Sequence, residues 1–242
     1  MRKSLDQFAR ERMVKELIVR GIVDNRVLAA MRKVPRHLFI DEGLKDTAYG
    51  DHALPIGEGQ TISQPYIVAL MSEALGLTGG EKSLEIGTGS GYQAAILAEL
   101  SARVFSIDRL SPFVSKGWKT LDQLHYKNIV LRASDGTYGW REEAPFDAIL
   151  VAAAAPSIPP PLVEQLKVGG RMVIPIGAID SQVLYKVIRE EDKTVMTPLV
   201  PCRFVPLLGA FAFPSKPPAA EETIKIPLFP PFSKGEKASN RC

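Results

Sequence analysis

The sequence predicts an α/β fold in which helices cover both faces of a mostly parallel sheet and an antiparallel hairpin completes that sheet. Short apolar runs alternate with helical patterns between residues 83 and 176, and the connections are short. A glycine loop at 87–91 stands between a predicted strand and a predicted helix. Two apolar segments near the C-terminal end flank the charged sequence REEDK at 189–193. Alternation of this kind is typical of a parallel sheet with helices in the connections.

The segment before the sheet contains predicted helices and one long loop. Residues 4–20 form an amphipathic pattern with apolar positions near helical spacing, namely Leu5, Phe8, Val14, Leu17 and Ile18. A second helix covers residues 25–33 and stops before Pro35, because the residue before a proline disfavours helical geometry. Residues 41–65 are rich in glycine, proline and polar residues, so we expect a loop with little regular structure. Proline suits the first position of a helix, which indicates a third helix over residues 65–75.

The sheet region begins near residue 83. The predicted strands are residues 83–86, 104–107, 129–132, 148–153, 171–176, 183–188 and 195–200. The predicted helices between them are residues 92–100, residues 112–124 and a helix that contains residues 162–166. The last two strands form the antiparallel hairpin.

The chain divides into three predicted parts. Residues 1–80 supply helices and a substrate-side loop that pack on the core, and residues 81–213 form the core itself. Residues 214–242 hold six of the 19 prolines in the chain and few apolar residues. Burial of so few apolar groups does not offset the entropy cost of ordering, so we expect this tail to be disordered or loosely docked.

Composition places the chain among ordinary globular proteins. It has 242 residues, 45% of them hydrophobic and 24% charged, and a net charge of +3. The tail carries five Lys and Arg against three Glu, so the body is close to neutral and has no obvious footprint for a nucleic acid. Two cysteines make no disulfide framework and no metal cluster. We find no signal peptide and no membrane span, and we expect a cytoplasmic monomer.

The glycine loop carries most of the functional information. Its spacing, GTGSG at 87–91, differs from the G-x-G-x-x-G typical of pyrophosphate binding. Glu85 precedes the loop, Asp108 ends the next strand, and Asp135 follows the third strand. S-adenosylmethionine offers a sulfonium and an amino group, a ribose diol and an adenine, and it has no phosphate. Three acids in this order therefore indicate a Rossmann-like class I fold for a methyltransferase that uses S-adenosylmethionine, although Asp135 in an Asp-Gly pair is also an ordinary turn residue.

Competing chemistries find little support in the sequence. It contains no G-x-x-x-x-G-K-[ST] phosphate loop and no G-x-S-x-G nucleophile elbow. Its three histidines, His37, His52 and His125, lack metal-ligand spacing, and we expect no metal site. The strand ending at VAAAAP, residues 151–156, lacks the Asn/Asp-Pro-Pro-aromatic signature of amine methylation and an acid to hold Mg²⁺. The end of this strand is therefore expected to supply an apolar floor to the site.

Several blocks in order resemble the protein-L-isoaspartate (D-aspartate) O-methyltransferase family. The blocks are VPRHLF at 34–39, AY at 48–49, LPIG at 54–57, GQTISQP at 59–65, EIGTGSGY at 85–92, PFDAI at 145–149, QLKVGG at 165–170 and RFVPL at 203–207. The resemblance covers roughly residues 13–209. It implies methyl transfer from S-adenosylmethionine to the α-carboxyl of L-isoaspartyl residues in damaged proteins and peptides. The resulting ester then collapses without the enzyme to a succinimide, and hydrolysis returns some normal aspartate.

The resemblance also implies roles for particular residues. Ser63 is the implied active-site hydroxyl, although its position just before the helix of residues 65–75 also suits a helix cap. The implied cofactor residues are Glu85, Gly87, Thr88, Gly89, Ser90, Gly91, Asp108, Asp135 and Gly136. The implied acceptor residues are Ile62, Val205 and Pro206.

The chain departs from the family pattern at a few positions. Asp108 stands where many relatives have Glu, and Ser134 replaces the first glycine of a Gly-Asp-Gly block. Other functions stay open on the residues alone. They are a methyltransferase of the same fold acting on an RNA base or a small metabolite, and a non-catalytic module that binds S-adenosylmethionine or kinked peptides.

Overall fold

The computed structural model describes residues 5–214. Its α-helices are α1 (Leu5–Val19), α2 (Asn25–Lys33), α3 (Pro65–Leu75), α4 (Tyr92–Leu100), α5 (Ser111–Gln123) and α6 (Pro160–Gln165). Its strands are β1 (Leu54–Gly57), β2 (Gln60–Ile62), β3 (Lys82–Ile86), β4 (Arg103–Asp108), β5 (Ile129–Ala133), β6 (Phe146–Val151), β7 (Leu166–Gly177), β8 (Gln182–Arg189) and β9 (Thr194–Cys202). Every predicted strand and helix of the sheet region is present, with shifts at the ends.

The main sheet confirms the predicted fold class. Its seven strands lie in the order β5-β4-β3-β6-β7-β8-β9. The pairs from β5 to β7 are parallel, and β8 and β9 add the predicted antiparallel hairpin. The chain leaves β3 toward β4 on one side and returns to β6 on the other. This reversal creates a crevice at the carboxyl ends of the strands, where ligands bind in open α/β sheets.

The two faces of the sheet are buried in two hydrophobic clusters. Along β6, Ala148 and Leu150 belong to the cluster beneath α1 to α5, whereas Ile149 and Val151 belong to the cluster beneath α6. Successive side chains of a strand point to opposite faces, so a strand buried on both sides reads as a continuous apolar run. This explains the unbroken sequence AILV in the middle of β6.

The apolar face of α1 differs from the predicted one. Of the predicted positions, Val14 and Leu17 are buried, together with Met13, whereas Leu5, Phe8 and Ile18 are exposed. The fully buried positions therefore lie in the second half of α1. The sequence pattern had grouped apolar residues from both sides of the helix.

The prediction of a loop at 41–65 was wrong in part. Residues 42–47 form a 3₁₀ helix, and β1 and β2 form an antiparallel hairpin. Its buried positions alternate, with Leu54, Ile56 and Ile62 facing inward. Glycine and proline obscured this period of two in the sequence. The tight turn between the strands requires Glu58 and Gly59 at positive φ.

Smaller corrections concern the ends of β6 and α6. β6 ends at Val151, so residues 152–153 leave the sheet and turn toward its carboxyl edge. α6 ends at Gln165, and β7 begins at Leu166, where a helix was predicted.

The N-terminal helices share one hydrophobic cluster with α4, α5 and the sheet. The division into residues 1–80 and 81–213 stays a prediction. The predicted disorder of the tail concerns residues that, apart from Pro214, lie outside the described part. Within residues 5–214, no helix combines the length and apolar character needed to cross a membrane.

Candidate functional site

A cleft with about 980 Å³ of empty space, part of it open to solvent, lies at the carboxyl ends of β3, β4 and β6. One wall consists of the glycine loop after β3 and the end of β4. The opposite wall consists of the end of β2, the residues before α3, and the segment 205–208. Ala152 and Ala153 lie between the walls and supply the apolar floor expected from the sequence.

The glycine loop uses its backbone amides within the protein. Gly87 and Gly89 have φ values of 98° and 49°, which favour glycine, and both line the cleft. The amides of Gly87 and Thr88 donate to the carbonyl of Ile107 at 2.7 and 3.3 Å. The amide of Gly89 donates to Asp108 Oδ2 at 2.8 Å, and that of Gly91 donates to the carbonyl of Thr88. These amides do not form a concave anion site of the kind that phosphate loops present.

Asp108 lies on the cleft wall at the end of β4. Its Oδ2 accepts from the amide of Gly89 and its Oδ1 accepts from the amide of Leu110 at 2.9 Å. Each carboxylate oxygen can accept more than one hydrogen bond, so Asp108 can brace the loop and still accept from a ligand.

Glu85 lies beneath the glycine loop and does not line the cleft. Its side chain is fully buried, Oε2 accepts from Ser106 Oγ at 2.5 Å, and Oε1 has no hydrogen-bond partner among the described residues. Ser106 Oγ in turn bonds Thr88 Oγ1 at 2.6 Å. Burial raises the pKa of Glu85 to about 8, and the charge of Asp108 adds to that shift against the hydrogen bond from Ser106. A chain of hydrogen bonds through Ser106 and Thr88 therefore connects Glu85 to the cleft wall.

Gly91 and Asp135 also lie off the cleft wall. A Cβ on Gly91 would face Gly117 and Leu121 of α5, so this glycine permits close helix packing. Asp135 Oδ1 accepts from the amide and hydroxyl of Thr137, and Oδ2 accepts from the amide of Ala210 at 2.9 Å. Asp135 thus ties the segment 209–211 to the end of β5. Gly136, beside it, does line the cleft.

Ser63 stands where this cleft meets a second one of about 700 Å³. Both clefts are lined by Thr61, Ser63, Ala152 and Val205. The Ser63 hydroxyl has no hydrogen-bond partner among the described residues. It does not cap α3, because that helix has Gln64 at its N-cap and the amide of Tyr66 donates to Asp51 Oδ1 instead. The cap that the sequence left open for Ser63 is therefore supplied by another residue.

The remaining predicted acceptor residues lie on the same side of the cleft. Ile62, Val205 and Pro206 all line it, and Val205 also faces the second cleft. The amide of Ala154 donates to the carbonyl of Val205 at 2.8 Å, and the amide of Leu207 donates to the carbonyl of Ala154 at 2.7 Å. This short ladder holds the segment 205–207 beside the floor. Among the described residues that line the second cleft, Arg203 alone carries a formal charge.

The residues on the cofactor side fit an adenosyl compound with a positive charge. The loop offers close backbone approach at Gly87 and Gly89 but no cluster of free amides for a phosphate. Asp108 supplies an acceptor on the wall, and Glu85 supplies a buried acidic group behind it. Carboxylates favour hydroxyl donors and cations over anions.

The structure brings together Ser63, Ile62, the front of the glycine loop, Asp108, Gly136, Val205 and Pro206. It places Glu85, Gly91 and Asp135 behind that surface. Sequence reasoning missed Asp51, which lies 15 residues before the amide that it binds. No local pattern in the sequence signals such a contact.

Comparison with known proteins gives one consistent result. The family model described as protein-L-isoaspartate(D-aspartate) O-methyltransferase matches residues 8–211. A protein-L-isoaspartate O-methyltransferase of Syntrophus aciditrophicus is 54% identical over 215 residues, covering 86% of this chain and 99% of that protein. Protein-L-isoaspartate O-methyltransferase 1 of Syntrophobacter fumaroxidans is 58% identical over 208 residues, covering 86% and 97%.

Solved structures agree with these relatives. A structure named protein-L-isoaspartate O-methyltransferase superposes with a TM-score of 0.77 at 27% identity, covering 84% of this chain and 67% of that one. A Plasmodium falciparum structure of the same enzyme type, in complex with S-adenosyl-L-homocysteine, gives 0.72 at 27% identity, covering 82% and 98%.

Proposed function

Because the chain belongs to the protein-L-isoaspartate (D-aspartate) O-methyltransferase family, we propose that its two adjoining clefts carry out that family's reaction with Ser63 at their junction. The reaction is transfer of a methyl group from S-adenosylmethionine to the free α-carboxyl of L-isoaspartyl residues in damaged proteins and peptides. The observation that carries the assignment of the site is the position of Ser63. Its hydroxyl lines both clefts and has no hydrogen-bond partner among residues 5–214.

We assign the first cleft to the methyl donor. Gly87 and Gly89 would lie against it, Asp108 would accept from its hydroxyl groups, and Gly136 would line the cleft beside them. When bound, S-adenosylmethionine supplies an electrophilic methyl group on a positively charged sulfur. Glu85 and Asp135 act from behind, through the loop and through the segment 209–211. This separates residues that contact the cofactor from residues that hold the wall in shape.

We assign the second cleft to the acceptor peptide. A carboxylate with a reference pKa of about 4 is ionised at neutral pH, so the reaction requires no general base. In line with this, neither histidine nor lysine occurs among the described residues that line the two clefts. The apolar side chains of Ile62, Val205 and Pro206 would strip water from the carboxylate, and the Ser63 hydroxyl would donate to it and fix its direction. Orientation and desolvation then supply most of the rate enhancement.

Further properties remain proposals of the same kind. The nearly neutral body supports a function without nucleic acid, and the two cysteines support a reducing cytoplasmic location. We also propose a monomer without a membrane partner.

Replacement of Ser63 by alanine tests this assignment. Loss of a hydrogen bond to a charged group costs about 1.5–3 kcal/mol, so we expect Ser63→Ala to lower kcat for an isoaspartyl peptide about 10- to 100-fold. The dissociation constant of S-adenosylmethionine, measured by titration calorimetry, should stay unchanged. Ser115→Ala, an exposed serine of α5, serves as the matched control. Equal loss of cofactor binding and turnover in Ser63→Ala would contradict the assignment.

A further inference from the structure

We propose that Asp51 is a positioning residue that sets the place of Ser63 in the cleft by bracing the turn between β2 and α3. The proposal rests on the role of Ser63 proposed above. Asp51 lies just before the β1–β2 hairpin, far from Ser63 in sequence but in direct contact with the residues that follow it.

The Asp51 carboxylate holds the turn at two points. Oδ1 accepts from the amide of Tyr66 at 3.0 Å, in the first turn of α3. Oδ2 accepts from the side-chain amide of Gln64 at 2.8 Å, and the same Gln64 nitrogen donates to the Asp51 carbonyl at 3.0 Å. Ser63 lies between the end of β2 and this doubly tethered glutamine. Its backbone therefore has fixed points on either side.

The carboxylate is held in place by charged and polar partners on several sides. It lies at the N-terminus of α3, where the helix dipole favours a negative charge. Arg20 forms an ion pair with Oδ2, and the Arg20 guanidinium lies 3.5 Å from the centre of the Tyr66 ring. The Asp51 side chain is 23% exposed. Asp51 is thus surrounded by donors from the residue that follows α1, from the turn and from α3.

The segment that carries Asp51 is itself anchored from the interior. The fully buried Arg36 donates through Nε to the carbonyl of Ala48 at 2.8 Å, and Tyr49 bonds His37 at 2.6 Å. Asp51 therefore transmits the position of a fixed segment to the turn.

The Ser63 hydroxyl depends on this brace because it has no bond of its own among the described residues. Within residues 5–214, no hydrogen bond fixes its oxygen, so the backbone, which sets the position of Cβ, is what places the hydroxyl in the cleft. Misplacement of a positioning group by about 1 Å can lower a rate about 100-fold. By holding the turn, Asp51 would prevent such a displacement of the Ser63 hydroxyl, although Asp51 itself lines neither cleft.

The test is a double-mutant cycle on Asp51→Asn and Ser63→Ala. Asn keeps one oxygen for the amide of Tyr66 but turns an NH₂ group toward the Gln64 amide and Arg20. We expect Asp51→Asn alone to lower kcat for an isoaspartyl peptide about 10- to 100-fold with an unchanged dissociation constant for S-adenosylmethionine. In the Ser63→Ala background the same change should have little further effect on kcat, since the group that it positions is gone.

Glu73→Gln is the matched control. Glu73 Oε1 also accepts from two backbone amides of another segment, those of Val23 and Asp24, at 2.7 Å each. It should lower the melting temperature much as Asp51→Asn does, yet leave kcat unchanged. If Asp51→Asn does not fold, Arg20→Gln replaces it in the cycle, because it removes the ion pair to Oδ2, keeps the bond to Tyr66 and alters the lining of neither cleft.

The outcomes separate the two proposals. Equal losses in kcat from Asp51→Asn with and without Ser63 would overturn the positioning role, as would wild-type kcat in the single variant. Wild-type kcat in Ser63→Ala would instead overturn the role of Ser63 itself. A coupled loss that spares cofactor binding supports both.

Discussion

The two walls of the active cleft are built in different ways. The wall that we assign to the cofactor, the cofactor wall, consists of the glycine loop after β3 and the end of β4. Its carboxylates accept hydrogen bonds from the loop amides and from Ser106, all close to the ends of these two strands. The wall that we assign to the acceptor, the acceptor wall, consists of a hairpin, a turn and the segment 201–208, and the hydroxyl of Ser63 on it has no hydrogen-bond partner among the described residues. A rigid wall suits a cofactor that never varies. A wall with an unbonded hydroxyl and an open second cleft suits acceptor peptides that differ in sequence.

The comparison also separates two uses of acidic residues. On the cofactor wall, Glu85 and Asp135 hold the protein together behind the surface, whereas Asp108 both braces the loop and lines the cleft. On the acceptor wall, Asp51 binds the turn that follows Ser63, and in our proposal this contact sets the place of the neutral hydroxyl. Among the described residues that line the second cleft, none is acidic, and an acidic side chain there would repel the carboxylate substrate.

The largest expected effect concerns the buried acid of the cofactor wall. The pKa of Glu85 rises from 4.5 to about 8 through burial, so between these values the native state binds a proton that the unfolded state has released. The stabilisation that the protonated Glu85 gives to the native state is complete below about pH 4.5 and is lost as the pH rises through about 8. In wild type, the free energy of unfolding should therefore fall with rising pH by on the order of a few kcal/mol, at roughly 1.4 kcal/mol per pKa unit. This fall should be absent in Glu85→Gln.

Urea unfolding of both proteins at several pH values between 5 and 9 measures this difference. Glu81→Gln is the control. Burial acts to raise the pKa of Glu81, but hydrogen bonds from Thr78 and Gly79 outweigh it and lower that pKa overall. Its contribution is therefore constant in this pH window. Parallel pH curves for wild type and Glu85→Gln would show that the cofactor wall does not store a buried proton.

The next effect concerns Asp108, the acid on the cleft wall. Asp108→Ala removes the acceptor for the amides of Gly89 and Leu110 and the acceptor on the cleft surface. We expect the dissociation constant of S-adenosylmethionine to rise about 10- to 100-fold, corresponding to about 1.5–3 kcal/mol for bonds to a charged group. Calorimetric titration checks it. Asp147→Ala, which removes the acceptor for the amide of Lys82 at the start of β3, should leave the dissociation constant unchanged.

The smallest effect concerns Asp135. Asp135→Ala should free the segment 209–211 from the end of β5, raising the dissociation constant of the cofactor only several-fold, or about 1 kcal/mol. Hydrogen exchange at the amide of Ala210 should accelerate, because that amide loses its acceptor. A loss of affinity as large as that from Asp108→Ala would indicate that Asp135 contacts the cofactor directly, which would contradict its assignment to the residues that hold the wall from behind.

The same contrast explains what the sequence could predict. The cofactor wall was predictable because strand, glycine loop and acid follow one another locally, as residues 83–91 and Asp108 do. Its finer roles were not, since the burial of Glu85 and the bond from Ala210 to Asp135 depend on distant segments. The hairpin of residues 54–62 was missed because glycines and proline hide its alternation. Asp51 was missed because its partners are 13 and 15 residues away.

The most direct test of the central claim is methyl transfer to two synthetic peptides that are identical except for isoaspartate or aspartate at one position. With labelled S-adenosylmethionine, we expect base-labile label on the isoaspartyl peptide alone. Because both peptides carry carboxylates, such selectivity would show that the second cleft reads the isomerised backbone. Tight cofactor binding with no transfer to either peptide, or equal transfer to both, would contradict the repair function and direct attention to other acceptors.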